Sequence, residues 1–147
     1  MSQTSVHVRT VHESSAAVGW AGHRTLTIDR SEQAGGMGLG YSGGELLFLA
    51  IGACFCNDLF REAAKRSIVV KSVHVDVDGD WGGDPVRAQN VTFSTRVEAE
   101  ASEADIQELI AHTNRIAEIH NSLRLGTSVT LVSSHALPVQ KEGQNAA

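Results

Sequence analysis

Cys54 is the side chain of this sequence whose neighbours best suit it for chemistry. It lies within an apolar helical stretch, and Asn57 and Asp58 follow it three and four residues later, on the helix face that carries the thiol. A cysteine in such a position is either an inert, buried small hydrophobe or a nucleophile in an apolar pocket. Free cysteine is so often buried that packing alone explains it. The polar neighbours favour the nucleophile, and both interpretations stay open at this point.

The second cysteine, Cys56, does not extend this site. Residues two apart on a helix point about 200° away from each other, so Cys54 and Cys56 cannot chelate one metal ion or form a good disulfide. The seven histidines are scattered, and none forms a convincing ligand set with a neighbouring cysteine or carboxylate. We therefore expect no metal and no cofactor.

Composition and charge limit the partners of the chain. Its 147 residues are 41% hydrophobic, enough for one domain with its own core. The formal net charge is -5, and no cluster of lysine and arginine is present to neutralise phosphates. The first residues lack the pattern of a signal peptide, and the apolar run 46–56 is about half as long as a bilayer span requires. We expect a cytoplasmic protein with reduced thiols that binds neither nucleic acid nor membrane.

The helix that carries Cys54 has a clear start. Ser42 is followed three residues later by Glu45, the pattern of a capping box, which gives the Glu45 carboxylate a structural role. Residues 46–55 are all apolar or glycine, and a helix that is apolar all round must be buried on every side. The other predicted elements are too few to cover it. We therefore expect an intertwined homodimer in which a second copy covers part of each central helix.

The first half of the sequence predicts strands followed by this helix. Three β-prone runs separated by turn residues form an N-terminal three-stranded meander: 6–12, 16–20 and 24–29. A glycine-rich loop at 32–41 then leads to the long buried central helix, which should end near Arg66.

The second half predicts an antiparallel strand pair, a second helix and a closing strand. Strict alternation marks the pair at 73–78 and 91–98, with a turn at 79–85 between them. Ser102 caps the second helix, whose inward stripe includes His120, and 127–137 forms the closing strand. The whole is a single α+β domain over residues 1–137, and we expect 138–147 to be a flexible polar tail.

The glycine-rich loop contains a match to a nucleotide-binding motif. Residues 38–43 fit the dinucleotide fingerprint, and a helix follows them. That motif needs a buried strand directly before it, whereas here a loop intervenes and no alternating strand and helix pattern develops. We expect instead that the glycines let the backbone turn tightly and lie close to a neighbouring surface.

Two separated blocks resemble the OsmC/Ohr family. Residues 45–54 read Glu-Leu-Leu-Phe-Leu-Ala-Ile-Gly-Ala-Cys and resemble the central-helix signature, in which a reactive cysteine follows a Gly-Ala pair. Residues 117–123, followed by 126–129, resemble a later block that normally reads Cys-Pro-Val-Ser-Asn-Thr-Leu. The resemblance implies an OsmC-like α+β fold, a swapped dimer with active sites near the subunit interface, and a thiol-dependent peroxidase in which Cys54 attacks an organic hydroperoxide.

The sequence departs from this family pattern at positions that matter for the reaction. The family's resolving cysteine falls on Ala117, and the acid that helps to activate the thiol falls on Gly44. The nearest candidate for the activating arginine is Arg24 in the third predicted strand, with Arg9 as the alternative. His120, near the missing second thiol, is the best remaining polar group for a role near Cys54, and a satisfied core histidine explains it equally well.

Two functions therefore remain. The first is an organic hydroperoxide reductase with one nucleophilic cysteine, Cys54, and an external dithiol such as a lipoyl group as reductant; Glu45 and Asp58 are then pocket or capping residues. The second is a non-catalytic OsmC-like homodimer that binds a small hydrophobic or electrophilic ligand. The missing resolving thiol and acid favour the second function, and the retained Cys54 favours the first.

Overall fold

The protein has an α+β fold, as the sequence predicts. The computed structural model describes residues 1–140, so most of the predicted tail, 141–147, lies outside the described residues. Its elements are β1 (His7–Thr10), β2 (Ala17–Ala21), β3 (Arg24–Ile28), a 3-10 turn (Glu32–Ala34), α1 (Gly43–Lys65), β4 (Val69–Gly82), β5 (Arg87–Glu100), α2 (Glu103–Ile116) and α3 (Glu118–Leu125).

The N-terminal strands form the predicted meander. β1 pairs with β2 and β2 with β3, both antiparallel, in one three-stranded sheet. The turn between β2 and β3 contains Gly22, whose φ of 59° lies in the left-handed region that glycine adopts without steric cost. The rings of His7 and Trp20 stack across the first pair with centroids 5.2 Å apart.

The glycine-rich loop is held close to β3, as predicted. The backbone of Gly40 lies against the carbonyl of Thr27, where a Cβ atom would clash. Asp29, which is 2% exposed, accepts hydrogen bonds from the backbone N–H groups of Met37 at 3.0 Å and Leu39 at 3.2 Å. These bonds lower the pKa of the Asp29 carboxyl, with the one from Leu39 contributing most. No sequence pattern indicated this role for Asp29.

α1 begins with the predicted capping box. The Ser42 hydroxyl accepts a hydrogen bond from the Glu45 backbone N–H at 3.3 Å, and the Glu45 carboxylate accepts one from the Ser42 N–H at 2.7 Å. The helix ends at Lys65, one residue before the predicted end. Its inner face supplies three core side chains, which pack with Leu109 of α2: Phe55, Leu59 and Ala63.

The outer face of α1 is not covered within one chain. Leu49 and Phe60 are 51% and 49% exposed, so the predicted burial on every side is not reached by a single copy. By length and composition alone, α1 could also cross a membrane. Core helices of soluble proteins meet the same criterion, and three of the four buried residues of the core cluster lie on α1.

β4 and β5 form the predicted antiparallel pair, but β4 is longer than predicted. Gly79 lies within β4, so the turn predicted at 79–85 is wrong in its first half. A Cβ atom on Gly79 would lie 2.8 Å from Cζ of Phe48, which shows that this glycine permits close packing of α1 on the sheet. The register shifts beside it, between Asp78 and Asp80.

The second predicted helix is interrupted. Ser102 caps α2, accepting from the Asp105 N–H at 3.2 Å, but the chain leaves the helical conformation at Ala117, with φ -56° and ψ 117°. α3 starts at the next residue, so His120 lies on a separate short helix and not on the stripe of α2. Apolar spacing alone does not reveal this change of direction.

The predicted closing strand does not form in the single chain. Residues 127–140 have no regular secondary structure, and Val129 and Val132 are 98% and 90% exposed. The alternation at 127–137 satisfies the side-chain pattern of a strand, but a strand also needs a neighbour for its backbone hydrogen bonds. Within the part of the chain that the structure describes, no strand pairs with this segment.

Candidate functional site

Cys54 is the first member of a polar row on one face of α1. Its Sγ donates a hydrogen bond to Oδ2 of Asp58 at 3.4 Å. Asp58 is 2% exposed, and its other oxygen, Oδ1, forms an ion pair with Nη1 of Arg61 at 2.8 Å. The spacings of four and three residues bring these side chains together on a helix. A half-buried thiol is thus connected to a guanidinium through one buried carboxylate.

The start of α3 faces the same thiol. Ala117 is the N-cap of α3 and makes no side-chain capping bond, so the first N–H groups of this helix lack the usual acceptor. The backbone N–H groups of Ile119 and Glu118 lie near the Cys54 sulfur and act to lower the pKa of its thiol. A helix N-terminus favours negative charge. The arrangement can therefore stabilise charge that develops on Sγ.

The resting sulfur is nevertheless a thiol. Burial raises the pKa of Cys54 above its ordinary value, and the neighbouring Asp58 carboxylate raises it further, against the opposing effect of the Ile119 N–H group. Because the thiol proton points to Asp58, a base to accept that proton is already in place.

Arg61 joins this site to α3. Its Nη1 lies 3.8 Å from Oε1 of Glu118, and its Nε donates to Oε1 of Glu62 at 3.1 Å. Sequence reasoning missed Arg61 and Glu118. The available signals were the spacing of three residues between Asp58 and Arg61 and the place of Glu118 at the start of the second family-like block.

The same cluster contains three groups that suit a metal ion. One ligand atom each from Cys54, Asp58 and Glu118 lies within 4.8 Å of the others. Arg61 is bonded to Asp58 and lies near Glu118, so a cation would have to compete with the guanidinium for both carboxylates. These residues suit proton transfer from the thiol better than they suit metal binding. The absence of a metal stays a prediction.

An aromatic ring fills the space beside Gly44, the position at which the resemblance places the activating acid of peroxidase members. A Cβ atom built on Gly44 would lie 2.8 Å from Cζ2 of Trp81. The Trp81 ring stacks on Phe48, with centroids 5.7 Å apart and 16° between the ring planes. In this chain the carboxylate beside the thiol is Asp58, which lies C-terminal to Cys54 on α1.

An apolar groove runs along α1 on the side of the other cysteine. Its volume is about 490 Å³, and its lining consists of Tyr41, Glu45, Phe48, Leu49, Gly52, Ala53, Cys56, Val75 and Val77. Glu45 therefore lies at the groove in addition to capping α1. Cys54 is not among these lining residues, so the apolar groove and the Cys54 row lie on different faces of the helix.

Two further candidates from the sequence lie elsewhere. Arg24 is exposed at the start of β3, where it pairs with Ala21, and the structure does not bring it into the Cys54 row. His120 is 5% exposed and packs between aromatic rings, with its centroid 4.9 Å from that of Phe93 and 6.1 Å from that of Phe55. Ala117 is fully buried, directly before the amides that face Cys54.

Comparison with protein families gives a match over more than half of the chain. A family model described as OsmC-like protein matches residues 35–132. The chain belongs to the OsmC-like protein family. None of the curated proteins compared with it is similar enough in sequence to count as a match.

Solved structures of other proteins share the fold of this OsmC-like protein. An OsmC-like protein from Mycoplasma pneumoniae has a TM-score of 0.72 at 16% identity, over 84% of this chain and 88% of that one. An organic hydroperoxide resistance protein OsmC from Legionella pneumophila has a TM-score of 0.59 at 15% identity, over 84% and 90%. The organic hydroperoxide resistance protein OhrB of Bacillus subtilis has a TM-score of 0.53 at 17% identity, over 83% and 90%.

Proposed function

We propose that this OsmC-like protein is an organic hydroperoxide reductase with Cys54 as its nucleophile and an external dithiol as its reductant. The observation that carries the proposal is the hydrogen bond from the Cys54 thiol to the buried Asp58 carboxylate, on the face toward the N-terminus of α3. Two structural neighbours are named as organic hydroperoxide resistance proteins, which agrees with a hydroperoxide substrate.

In the first step the sulfur takes an oxygen atom from the hydroperoxide. Asp58 accepts the thiol proton as Sγ attacks the terminal peroxide oxygen, and the O–O bond breaks. The alkoxide leaving group takes up the proton and departs as an alcohol, while Cys54 becomes a sulfenic acid. The amides of Glu118 and Ile119 stabilise negative charge on sulfur during the attack.

In the second step the dithiol reduces the sulfenic acid. Its first thiol forms a mixed disulfide with Cys54 and releases water, and its second thiol then displaces Cys54 as a thiol. An external reductant is required because Ala117 occupies the place of the family's resolving cysteine. Cys56 does not replace that cysteine, since it lines the groove on the other face of α1.

Arg61 positions the acid in this scheme. Its ion pair with Oδ1 leaves Oδ2 of Asp58 turned to the thiol. Arg61 is therefore a positioning residue, and in this chain it takes the place that the sequence assigned to Arg24.

We infer further that the protein acts as a cytoplasmic homodimer. Exposed apolar side chains on α1 and in the groove beside it support a second copy as the cover for this face. The apolar groove of such a dimer would favour an organic hydroperoxide over hydrogen peroxide. Light scattering on purified protein should give the mass of two chains, and a clean monomer would contradict this inference.

The experiment that tests the reaction follows both peroxide and thiol. The protein is incubated with cumene hydroperoxide or with hydrogen peroxide in the presence of dihydrolipoamide, and peroxide consumption is measured alongside loss of the Cys54 thiol. We expect turnover with the organic peroxide that disappears in Cys54→Ser and persists in the matched control Cys56→Ser. If Cys54 reacts no faster than free cysteine, the reductase is excluded.

One observation favours the second function, a non-catalytic ligand-binding homodimer. The raised pKa of Cys54 keeps the nucleophilic thiolate scarce at neutral pH. If the protein is such a binder, a small electrophile would modify Cys54 once, and adding dithiol would not start catalytic turnover. The same experiment distinguishes the two functions, because only the reductase consumes peroxide beyond one equivalent of protein.

A further inference from the structure

His120 is a buried side chain whose two ring nitrogens make no hydrogen bond in the described part of the chain. Both ring nitrogens are inaccessible to solvent and, within residues 1–140, neither has a hydrogen-bond partner. Burial and the nearby Arg124 lower the pKa of this histidine, so the ring is neutral and presents one donor and one acceptor. Buried polar groups are rarely left without partners, and such an exception requires an explanation.

The ring of His120 lies in the wall of a cavity. The cavity has a volume of about 570 Å³ and is bounded by α1, β5, α2 and α3. Its lining consists of Ile51, Ala88, Gln89, Asn90, Val91, Thr92, Phe93, Asn114, His120, Leu123 and Arg124. Cys54 is not among them, so this cavity is separate from the proposed reductase site.

The charge of the lining points to the chemistry of a ligand. Arg124 is the only charged side chain that lines this cavity in the described part of the chain. Three hydrogen bonds fix its guanidinium: to the backbone oxygen of Asn114 at 2.8 Å, to Oδ1 of Asn114 at 2.6 Å and to Oδ1 of Asn121 at 3.3 Å. Since a guanidinium has five N–H donors, donors remain after these bonds. A fixed arginine with free donors recognises a carboxylate well.

The rest of the wall is partly apolar. Ile51, Phe93 and Leu123 contribute hydrocarbon surface, and Gln89 and Thr92 contribute neutral polar groups from β5. Asn90 stands beside them with a left-handed φ of 51°, at the register shift of the sheet. Irregularities of this kind redirect strand side chains and are frequent next to binding sites.

We propose that this cavity binds a small organic acid, with its carboxylate at Arg124 and His120 and its apolar body against Ile51, Phe93 and Leu123. Because both ring nitrogens are closed to solvent in the structure, the His120 ring turns toward the cavity on binding, and its N–H then donates to the carboxylate, which provides the partner that the ring lacks. Arg124 supplies the opposite charge, and the hydrocarbon walls pack against the ligand body. This site is independent of Cys54 and of any peroxidase activity.

Nuclear magnetic resonance on the full chain tests the proposal with three matched probes: hexanoate, hexanol and hexylammonium. We expect hexanoate to bind, to shift the His120 ring nitrogen resonances and to perturb backbone amides of β5 and α3. Hexanol and hexylammonium should bind at least about tenfold more weakly, because a charge-assisted bond to Arg124 is lost or reversed. Equal binding of all three probes would overturn the proposal, as would shifts confined to the groove along α1.

Single substitutions test which residues bind hexanoate. Arg124→Gln should weaken hexanoate binding about tenfold. Arg66→Gln, which removes a charge paired with Glu108 outside the cavity, should leave binding unchanged. Cys54→Ser should also bind hexanoate as the parent does. If the proposed reductase activity is not found, this binding result therefore still stands. Unchanged hexanoate binding by Arg124→Gln would overturn the proposed recognition, and the probe comparison on the unaltered chain decides the matter if that variant does not fold.

Discussion

The ring of Trp81 occupies the space that any side chain at Gly44 would need. A Cβ atom on Gly44 would lie 2.8 Å from Cζ2 and 3.1 Å from Cε2 of this ring. The resemblance to the family places the activating acid of its peroxidase members at this position, and the Trp81 ring leaves no room for a side chain there. Asp58, which lies C-terminal to Cys54 on α1, is the acid that accepts a hydrogen bond from the thiol.

Gly44→Ala should therefore displace the Trp81 ring. The ring is 52% exposed and can move outward, so the cost is its stacking on Phe48, about 0.5–1.5 kcal/mol of stability. Chemical denaturation measures the loss, and tryptophan fluorescence in a Trp20→Phe background reports the ring itself. Gly43→Ala is the matched control, because nothing lies within 4 Å of a Cβ at Gly43. An unchanged fluorescence spectrum in Gly44→Ala would contradict this packing account.

Much of the fold could be predicted because its signals are local. The capping box at Ser42, the alternation in β4 and β5 and the cap at Ser102 each depend on residues a few positions apart. The closing strand at 127–137 failed for the opposite reason. Its side-chain pattern is local, but the hydrogen-bonding neighbour that a strand requires is not encoded within the segment.

The site was predictable only in part. Cys54 and Asp58 share a helix, and helical spacing places them together. The amides of Glu118 and Ile119 reach the thiol because the chain turns at Ala117, and that turn depends on tertiary packing. For the same reason His120 was expected on the stripe of the second helix, whereas the structure turns it toward Phe93.

Asp58→Asn should change Cys54 in two opposite ways. The carboxylate raises the pKa of the thiol, so the amide should lower that pKa and make the thiolate available at lower pH. Under the proposed mechanism the variant also loses its proton acceptor, so peroxide reduction should slow by about 10²-fold or more. The rate of iodoacetamide alkylation against pH measures the first effect, and turnover of cumene hydroperoxide measures the second.

The two measurements together show whether Asp58 acts as the base or only lies next to the thiol. Asn retains an oxygen for Arg61, and Arg61 is 45% exposed, so the fold should tolerate the loss of charge. Asn57, which the sequence places on the face of the thiol, is exposed in the structure, so Asn57→Ala is the control and should change neither measurement. An Asp58→Asn protein that alkylates at lower pH and reduces peroxide at the original rate or faster would show that Asp58 is not the base.

Ala117→Cys should restore an internal resolving thiol. Ala117 directly precedes the two amides that face the Cys54 sulfur, so a thiol here should lie close enough to attack the sulfenic acid and release water. Mass spectrometry without reductant, after one equivalent of cumene hydroperoxide, should find a disulfide between positions 54 and 117. Ala111→Cys, at an exposed position on α2, should form none. Only sulfenic or overoxidised Cys54 in Ala117→Cys would contradict the proximity of these positions.

His120 should make the protein less stable in mild acid. Burial and Arg124 lower the pKa of its ring below the ordinary value of 6.5, whereas the opposing effect of Asp58 is smaller. The unfolded chain then binds a proton at a higher pH than the folded chain does. The contribution of His120 to stability is therefore fully present above pH 6.5 and is lost as the pH falls below that value.

His120→Phe should remove this dependence. Phenylalanine keeps the contacts with Phe55 and Phe93 and leaves no unpaired nitrogen, so the variant should be at least as stable as the parent at neutral pH. Urea unfolding across this pH range should give a difference between parent and variant that grows as the pH falls. His23→Phe in the exposed turn before β3 controls for the loss of any histidine. If the difference stays constant with pH, His120 does not titrate abnormally in the folded protein.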